Sequence, residues 1–151
     1  YDQALKKFPS LFGFKGVTAD QTSTTVTSKQ TSSQVDNLTG VSKAKDIFNF
    51  SAQPGFSDQA DTITSFSVKE KDTIQISKSV FGIATGRFAV AKKPKSLNKL
   101  LASDVDIVYN QKVGQMILNA NGTEPGFGTD GGVFALLVGN PKITPSSVSF
   151  I

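Results

Sequence analysis

Residues 46–81, DIFNFSAQPGFSDQADTITSFSVKEKDTIQISKSVF, decide how this chain folds. Three short bursts, DIFNF, DTITSF and DTIQIS, each open on an aspartate, and in each the apolar residues alternate with Asn, Thr, Ser or Gln. A period of two sends successive side chains to opposite faces of a strand, one buried and one wet. Gln53-Pro54-Gly55 and Lys69-Glu70-Lys71 break or solvate the chain between the bursts. The pattern predicts one inner layer of Phe48, Phe50, Ile63, Phe66, Ile74 and Ile76, with everything after Phe81 added to close it.

The chain has 151 residues, enough for one domain and a tail. A hydrophobic fraction of 38% is low for a chain packed throughout, which predicts that part of it is unpacked. With neither cysteine nor histidine, disulfides, thiol nucleophiles, Ser-His triads and Cys/His zinc sites are all excluded. Any metal must take oxygen ligands, and calcium is the first candidate. No apolar run approaches the roughly 20 residues of a membrane-spanning helix. The net charge of +4 permits an acidic partner. Lysine carries nearly all of the positive charge, with Arg87 the single arginine, which argues against nucleic-acid binding, where arginine forks and exposed aromatics dominate. A start at Tyr1 predicts a processed product or a piece of a longer chain.

Read in order, residues 1–16, YDQALKKFPSLFGFKG, combine Phe8, Phe12 and Phe14 with Lys6 and Lys7. Pro9 and Gly13 interrupt any helix there. The segment either packs its phenylalanines on the domain or docks on a protein partner. Thr18 to Gln34 is Ser/Thr/Gln-rich and has almost nothing to bury, so residues 1–34 read as an extended or partner-docking arm, with a threonine-rich edge strand as the other reading. The domain then spans 35–151. Ser77 caps one helical turn. SLNKLLA, 96–102, reads as a short helix, and Lys92, Lys93 and Lys95 before it form the densest basic patch, a second candidate docking surface. DIVYN and QMILN form a hairpin with Gly114 in its turn. Val133 to Val138 is a fully buried strand, Thr144 caps a turn that starts at Pro145, and Val148 to Ile151 is the last strand.

Within 36–151 the order of motifs resembles the C-terminal region of RTX (repeats-in-toxin), haemolysin-type calcium-binding proteins, including the serralysin type. LTG followed by DIFNF resembles a glycine-rich nonapeptide running into a D-x-F-x-F strand. DTITSFSVKEKDTIQIS resembles the D-x-I-x-D-F and D-x-I-x-L-S segment that follows the repeats. DIVYNQKVGQMILNANGTEPGFG and FALLVGNPKITPSSVSFI resemble the terminal hairpin and the closing L-x-G-x-P-x-L-x-x-x-D-F. The resemblance implies a mainly β, β-roll or β-sandwich-like terminal domain with one or two short helices, preceded by the extended arm. It also implies calcium, secretion to the outside or the cell surface, and a C-terminal type I secretion signal, for which SSVSFI is suitable.

Several residues depart from that pattern. Only Gly40 remains of the repeat's glycines, Val41 replaces a neighbour suited to positive φ, and Lys43 and Lys45 would repel a cation. Ser65 takes the place of an aspartate, and Asn119 and Asn121 replace acidic residues. Fewer carboxylates mean weaker calcium binding. Asp46, Asp61 and Asp72 are the candidate weak calcium contacts; their other reading is as strand-opening residues whose side chains bond nearby backbone N–H groups.

A catalytic site could be built only from carboxylates, Lys, Tyr or Ser; nothing near Glu124 and Asp130 holds that pair at a fixed separation, and Asp104 and Asp106 share a strand face but flank its start, where solvation is the simpler reading. The expectation is a non-enzymatic structural or capping domain of a secreted or cell-surface RTX-like protein. The alternative is a basic linker subunit inside a larger, intracellular assembly, docking on acidic partners through its Phe/Lys-rich N-terminus. In either case the partner is a protein or the remainder of a longer chain.

Overall fold

The computed structural model describes residues 25–31 and 33–151. The predicted contacts at Lys6, Lys7, Phe8, Phe12 and Phe14 lie outside the described residues. Among the described residues five strands come first: β1 (Thr25–Lys29), β2 (Asn37–Thr39), β3 (Lys45–Phe50), β4 (Asp61–Thr64) and β5 (Thr73–Ile76). They go alternately into two sheets. β1, β3 and β5 pair side by side in parallel, as do β2 and β4. The chain therefore coils, laying one strand in each sheet per turn. After helix α1 (Lys78–Phe81) the coil is interrupted by β6 (Phe88–Ala91), helix α2 (Pro94–Leu101), β7 (Ile107–Asn110) and β8 (Gln115–Leu118). It resumes with β9 (Gly132–Leu137) parallel to β4, and β10 (Val148–Phe150) parallel to β5. The sheet orders are β2-β4-β9-β8-β7-β6 and β10-β5-β3-β1.

Among the described residues the architecture is thus mainly β, with two sheets and two short helices. Alternation located the buried residues: Phe48, Phe50, Ile63, Ile74 and Ile76 are fully buried, and Phe66 packs on Phe48 with ring centres 5.7 Å apart. They do not form one layer, however. β4 lies in the opposite sheet from β3 and β5, so the apolar faces meet across the core, where Phe50 packs edge-on against Phe134 of β9 at 5.4 Å. Period-two alternation identifies a strand's faces but carries no information about which sheet it joins.

Two further expectations need correction. The sheet begins at Thr25, inside the segment read as an arm: Thr25–Lys29 pairs along its length with Lys45–Asn49. A parallel edge strand needs little apolar content when its neighbour supplies the core face, and the edge-strand reading of this threonine-rich stretch holds there. Nor is Val133–Val138 buried throughout, since Leu136 is 38% and Val138 58% exposed. A bulge between Val133 and Ala135 keeps Phe134 inward. Only Val133 on the outer face lies under α2, in a small cluster with Leu97, Leu100, Leu101, Val108 and Ile117.

Local signals elsewhere act as their chemistry dictates. The Ser77 side chain accepts from the Val80 N–H at the start of α1. Gly114 closes the β7–β8 hairpin at φ 73°, and a Cβ there would stand 2.4 Å from the Leu137 carbonyl. Pro145 opens the 3-10 turn Pro145–Ser147 behind Thr144.

Candidate functional site

The coil brings the aspartates that open its strands into two columns. In the first, the Asp36 N–H donates to Asp61 Oδ1 at 2.8 Å, 25 residues on. In the second, the Asp46 N–H donates to Asp72 Oδ1 at 2.8 Å, 26 residues on. A second, local bond recurs. The N–H of the residue five positions earlier donates to the carboxylate: Thr31 to Asp36 at 2.9 Å, Val41 to Asp46 at 2.8 Å, Ser67 to Asp72 at 2.8 Å. Each carboxylate thus ties a turn within its own coil or joins it to the next. Carboxylate acceptors suit this because charge-assisted bonds to backbone N–H groups are among the strongest available.

Asp72 uses both oxygens this way. Asp46 Oδ1 and Asp61 Oδ2 are buried with no hydrogen-bond partner among the described residues. The register explains both. Val26 lies opposite Asp46 in β1 but does not supply the N–H that Asp46 supplies to Asp72. Five residues before Asp61 is Phe56, where the chain enters the 3-10 turn Ser57–Gln59 with Ser57 at φ 60°.

Of the three candidate calcium residues, the fold brings Asp46 and Asp72 together and leaves Asp61 in the other column. Glu70, read in the sequence only as part of a solvated break, completes the group: Asp46, Glu70 and Asp72 each offer a carboxylate oxygen within 4.8 Å of the others. Glu70 is held there because its Oε2 accepts the Lys43 N–H at 2.7 Å and its own N–H donates to Ser67 Oγ at 3.2 Å. Two turns, 40–45 and 66–72, meet at this point. The left-handed residues are Lys43 and Lys71 within them and Ser65 just before the second, not Val41, which escapes the steric penalty expected of it. Gly40 is needed for a different reason. A Cβ there would lie 2.5 Å from the Ser65 carbonyl oxygen and 2.9 Å from Asp46 Oδ2.

Burial pushes the Asp46 carboxyl up; the Val41 N–H opposes this, and the charges of Asp72 and Glu70 add to the rise. Burial likewise pushes Asp61 up to about 6, opposed by the Asp36 N–H and reinforced by the Asp36 charge. A cleft of 330 Å³ reaches Asp72 between Lys45, Lys71, Ser146 and Ser147.

The other sequence candidates stand apart from this group. Lys92, Lys93 and Lys95 are exposed at the start of α2. Glu124 and Asp130 are exposed in the glycine-rich loop. Asp104 forms an exposed ion pair with Arg87, while Asp106 accepts the Gly86 and Arg87 N–H groups at 3.0 and 2.8 Å and the Thr85 hydroxyl at 3.1 Å. Asn119 donates to the carbonyls of Ser103, Val105 and Gly122, and the Tyr109 hydroxyl donates to the Pro141 carbonyl at 2.8 Å. Chemically, the arrangement offers braced backbone and one group of three carboxylates. The class these features define is a two-sheet, largely parallel β coil braced by columns of aspartate. No family model matches the chain, and neither the curated proteins nor the solved structures give a match.

Proposed function

We propose that this chain is a non-enzymatic structural domain, the terminal, capping portion of an RTX-like β coil in a secreted or cell-surface protein. The observation that carries this reading is the use made of several of its buried and half-buried polar groups. Asp36, Asp72, Asp106, Asn119 and Tyr109 are each bonded to backbone in ways that tie strands and turns together. A reaction centre needs polar groups aimed at a substrate, and these are aimed at the chain itself.

The capping role draws on the two ends of the coil. At one end β1 and β2 are, among the described residues, the outermost strands of their sheets, each with a parallel partner on its inner side. Such edges accept further parallel strands readily. At the other end the coil order gives way to the β6–β8 excursion, and the segment held by Asp106 lies against β10, where a Cβ on Gly86 would stand 2.9 Å from the Phe150 ring. The C-terminal SSVSFI contributes β10, so a secretion signal there would double as a strand of the fold.

Removal of residues 1–24 is the test. A structural cap stays folded and monomeric, with its melting temperature within about 2 °C of the full chain, a shift worth well under 1 kcal/mol at this size. Loss of a salt-sensitive protein association on that deletion, or on Lys92, Lys93 and Lys95 to Ala, would instead favour the basic linker reading.

A further inference from the structure

We propose that one rim of the six-stranded sheet is a docking surface for the face of an anionic lipid bilayer. The inference is independent of the capping reading, because it uses a rim of the sheet and not the open edges of the coil.

The order β2-β4-β9-β8-β7-β6 sets five connections side by side on that rim: the residues that follow β2, β4, β9 and β6, and the β7–β8 hairpin turn. Hydrogen bonds stitch them into a row. The Gly40 N–H donates to the Thr64 carbonyl and the Val138 N–H to the Ile63 carbonyl, both at 2.9 Å. Asn140 Nδ2 donates to the Lys112 carbonyl, and the Gln111 N–H to the Ala91 carbonyl, again at 2.9 Å. The turns are therefore held as one array before any partner arrives.

Four of them carry the same two residue types. Val41 stands near Lys43, Val68 beside Lys69 and Val113 beside Lys112, while Val138 and Lys142 flank the turn at Asn140. These valines are between 39% and 58% exposed, and their lysines are exposed as well. Lys92 and Lys93 continue the charge past β6. Singly exposed aliphatic residues are ordinary on a surface; one on each of four adjoining turns, always with a lysine, marks a contact face.

The nearby acids do not cancel that charge. Asp46 and Asp72 are buried, and Glu70 is half-buried and accepts the Lys43 N–H. The exposed acids Asp58, Asp104, Glu124 and Asp130 lie at the opposite rim, in the segments that lead into β4, β7 and β9. An anionic surface would thus draw the domain in rim first.

The valines select a bilayer among anionic partners. Lysines rest at the level of the lipid phosphates while short aliphatic side chains pass between the headgroups. With strands about 4.8 Å apart, the row of valines spans about 15 Å from β2 to β8, and a broad, deformable surface can meet all of them. A soluble polyanion would use the lysines and leave the valines in water.

The test is sedimentation of the full chain with vesicles of phosphatidylcholine alone or with about 30% phosphatidylserine. Binding is expected only to the serine-containing vesicles, falling by about tenfold or more between about 0.05 and 0.5 M salt. Lys69→Glu with Lys142→Glu should lower it by about tenfold or more, whereas Lys29→Glu with Lys78→Glu, an equal charge change away from the rim, should cost less than about threefold. Val113→Ser with Val138→Ser keeps the charge and should weaken binding by about fivefold with the melting temperature unchanged. No binding to the anionic vesicles, equal binding to neutral ones, or equal losses for the two lysine pairs overturns the proposal. So does an undiminished affinity in the valine pair, which together with binding to heparin would point to a soluble polyanion.

Discussion

The backbone N–H of Asp46 and the carboxylate of Asp72 meet at 2.8 Å although 26 residues separate them. This bond joins adjacent coils at the mouth of the four-stranded sheet, and the other oxygen of Asp72 takes the Ser67 N–H of its own turn. Asp72→Ala strands two backbone donors at once. With about 1–3 kcal/mol for each buried group left unsatisfied, it should cost about 3–5 kcal/mol in urea unfolding at pH 7. Asp72→Asn keeps one acceptor oxygen and should cost about half as much. Equal losses for the two variants would mean that the charge, not the pair of acceptors, is what matters.

The Asp61 carboxyl gives the coil an unusual dependence on pH. Its pKa is pushed up to about 6 in the folded chain from an ordinary value of 3.8. The folded state therefore binds more protons than the unfolded state between about pH 4 and 6. The stability this group contributes is present below pH 4 and is lost as pH rises through 6. Two units are worth about 3 kcal/mol at full burial, and Asp61 is 1% exposed. The difference in unfolding free energy between pH 4 and pH 7.5 should move by about 3 kcal/mol on Asp61→Asn, in the direction of greater relative stability at the higher pH. An unchanged difference would show that the buried carboxyl titrates normally.

Gly40 tests how closely the turns approach. Gly40→Ala would set a Cβ 2.5 Å from the Ser65 carbonyl and 2.9 Å from Asp46 Oδ2, and both are braced elements with little room to yield. Overpacking of this kind costs about 1–3 kcal/mol. Because the displaced atom is the oxygen that takes the Val41 N–H, the same variant should loosen that turn as well as lower the melting temperature. Gly82→Ala, whose Cβ meets nothing within 4 Å, is the control: it carries only the cost of its left-handed φ and no overpacking.

How much of this was legible in the sequence follows from the range of each signal. Phe48, Phe50, Ile63, Ile74 and Ile76 announced their burial through local alternation, and Ser77, Gly114 and Pro145 announced a cap and two turns through local stereochemistry. The division of the strands between two sheets is a long-range fact, and nothing in DTITSF says that it pairs with NLT and FALL rather than with DIFNF. The carboxylate group fails to show for the same reason. Asp46 and Asp72 advertise themselves by opening strands, whereas Glu70 sits between two lysines in a stretch that any composition rule reads as solvated. Only the coil register, which lays the 66–72 turn beside the 40–45 turn, turns it toward Asp46. The same register sends Asp61 to the other column. Its strand-opening aspartate is indistinguishable in sequence from the other two.

Asp106 braces the β10 end of the coil as Asp72 ties β3 to β5. Its carboxylate collects the Thr85 hydroxyl and the Gly86 and Arg87 N–H groups, while the Asp106 and Ile107 N–H groups return to the Arg87 carbonyl at 3.0 Å. That double tie fixes Gly86 against Phe150 of β10, a three-residue strand with few ladder bonds of its own. Asp106→Ala should release residues 85–87 and speed amide exchange in 148–151, while β3 and β5, paired on both sides, keep their protection. The melting temperature should fall modestly, since Thr85 and Arg87 are exposed and water replaces part of what they lose. A freed β10 edge is also open to pairing with other chains, so light scattering on heating should rise earlier in the variant than in the parent. If exchange in 148–151 stays as slow as before, the excursion through β6–β8 does not cap the coil.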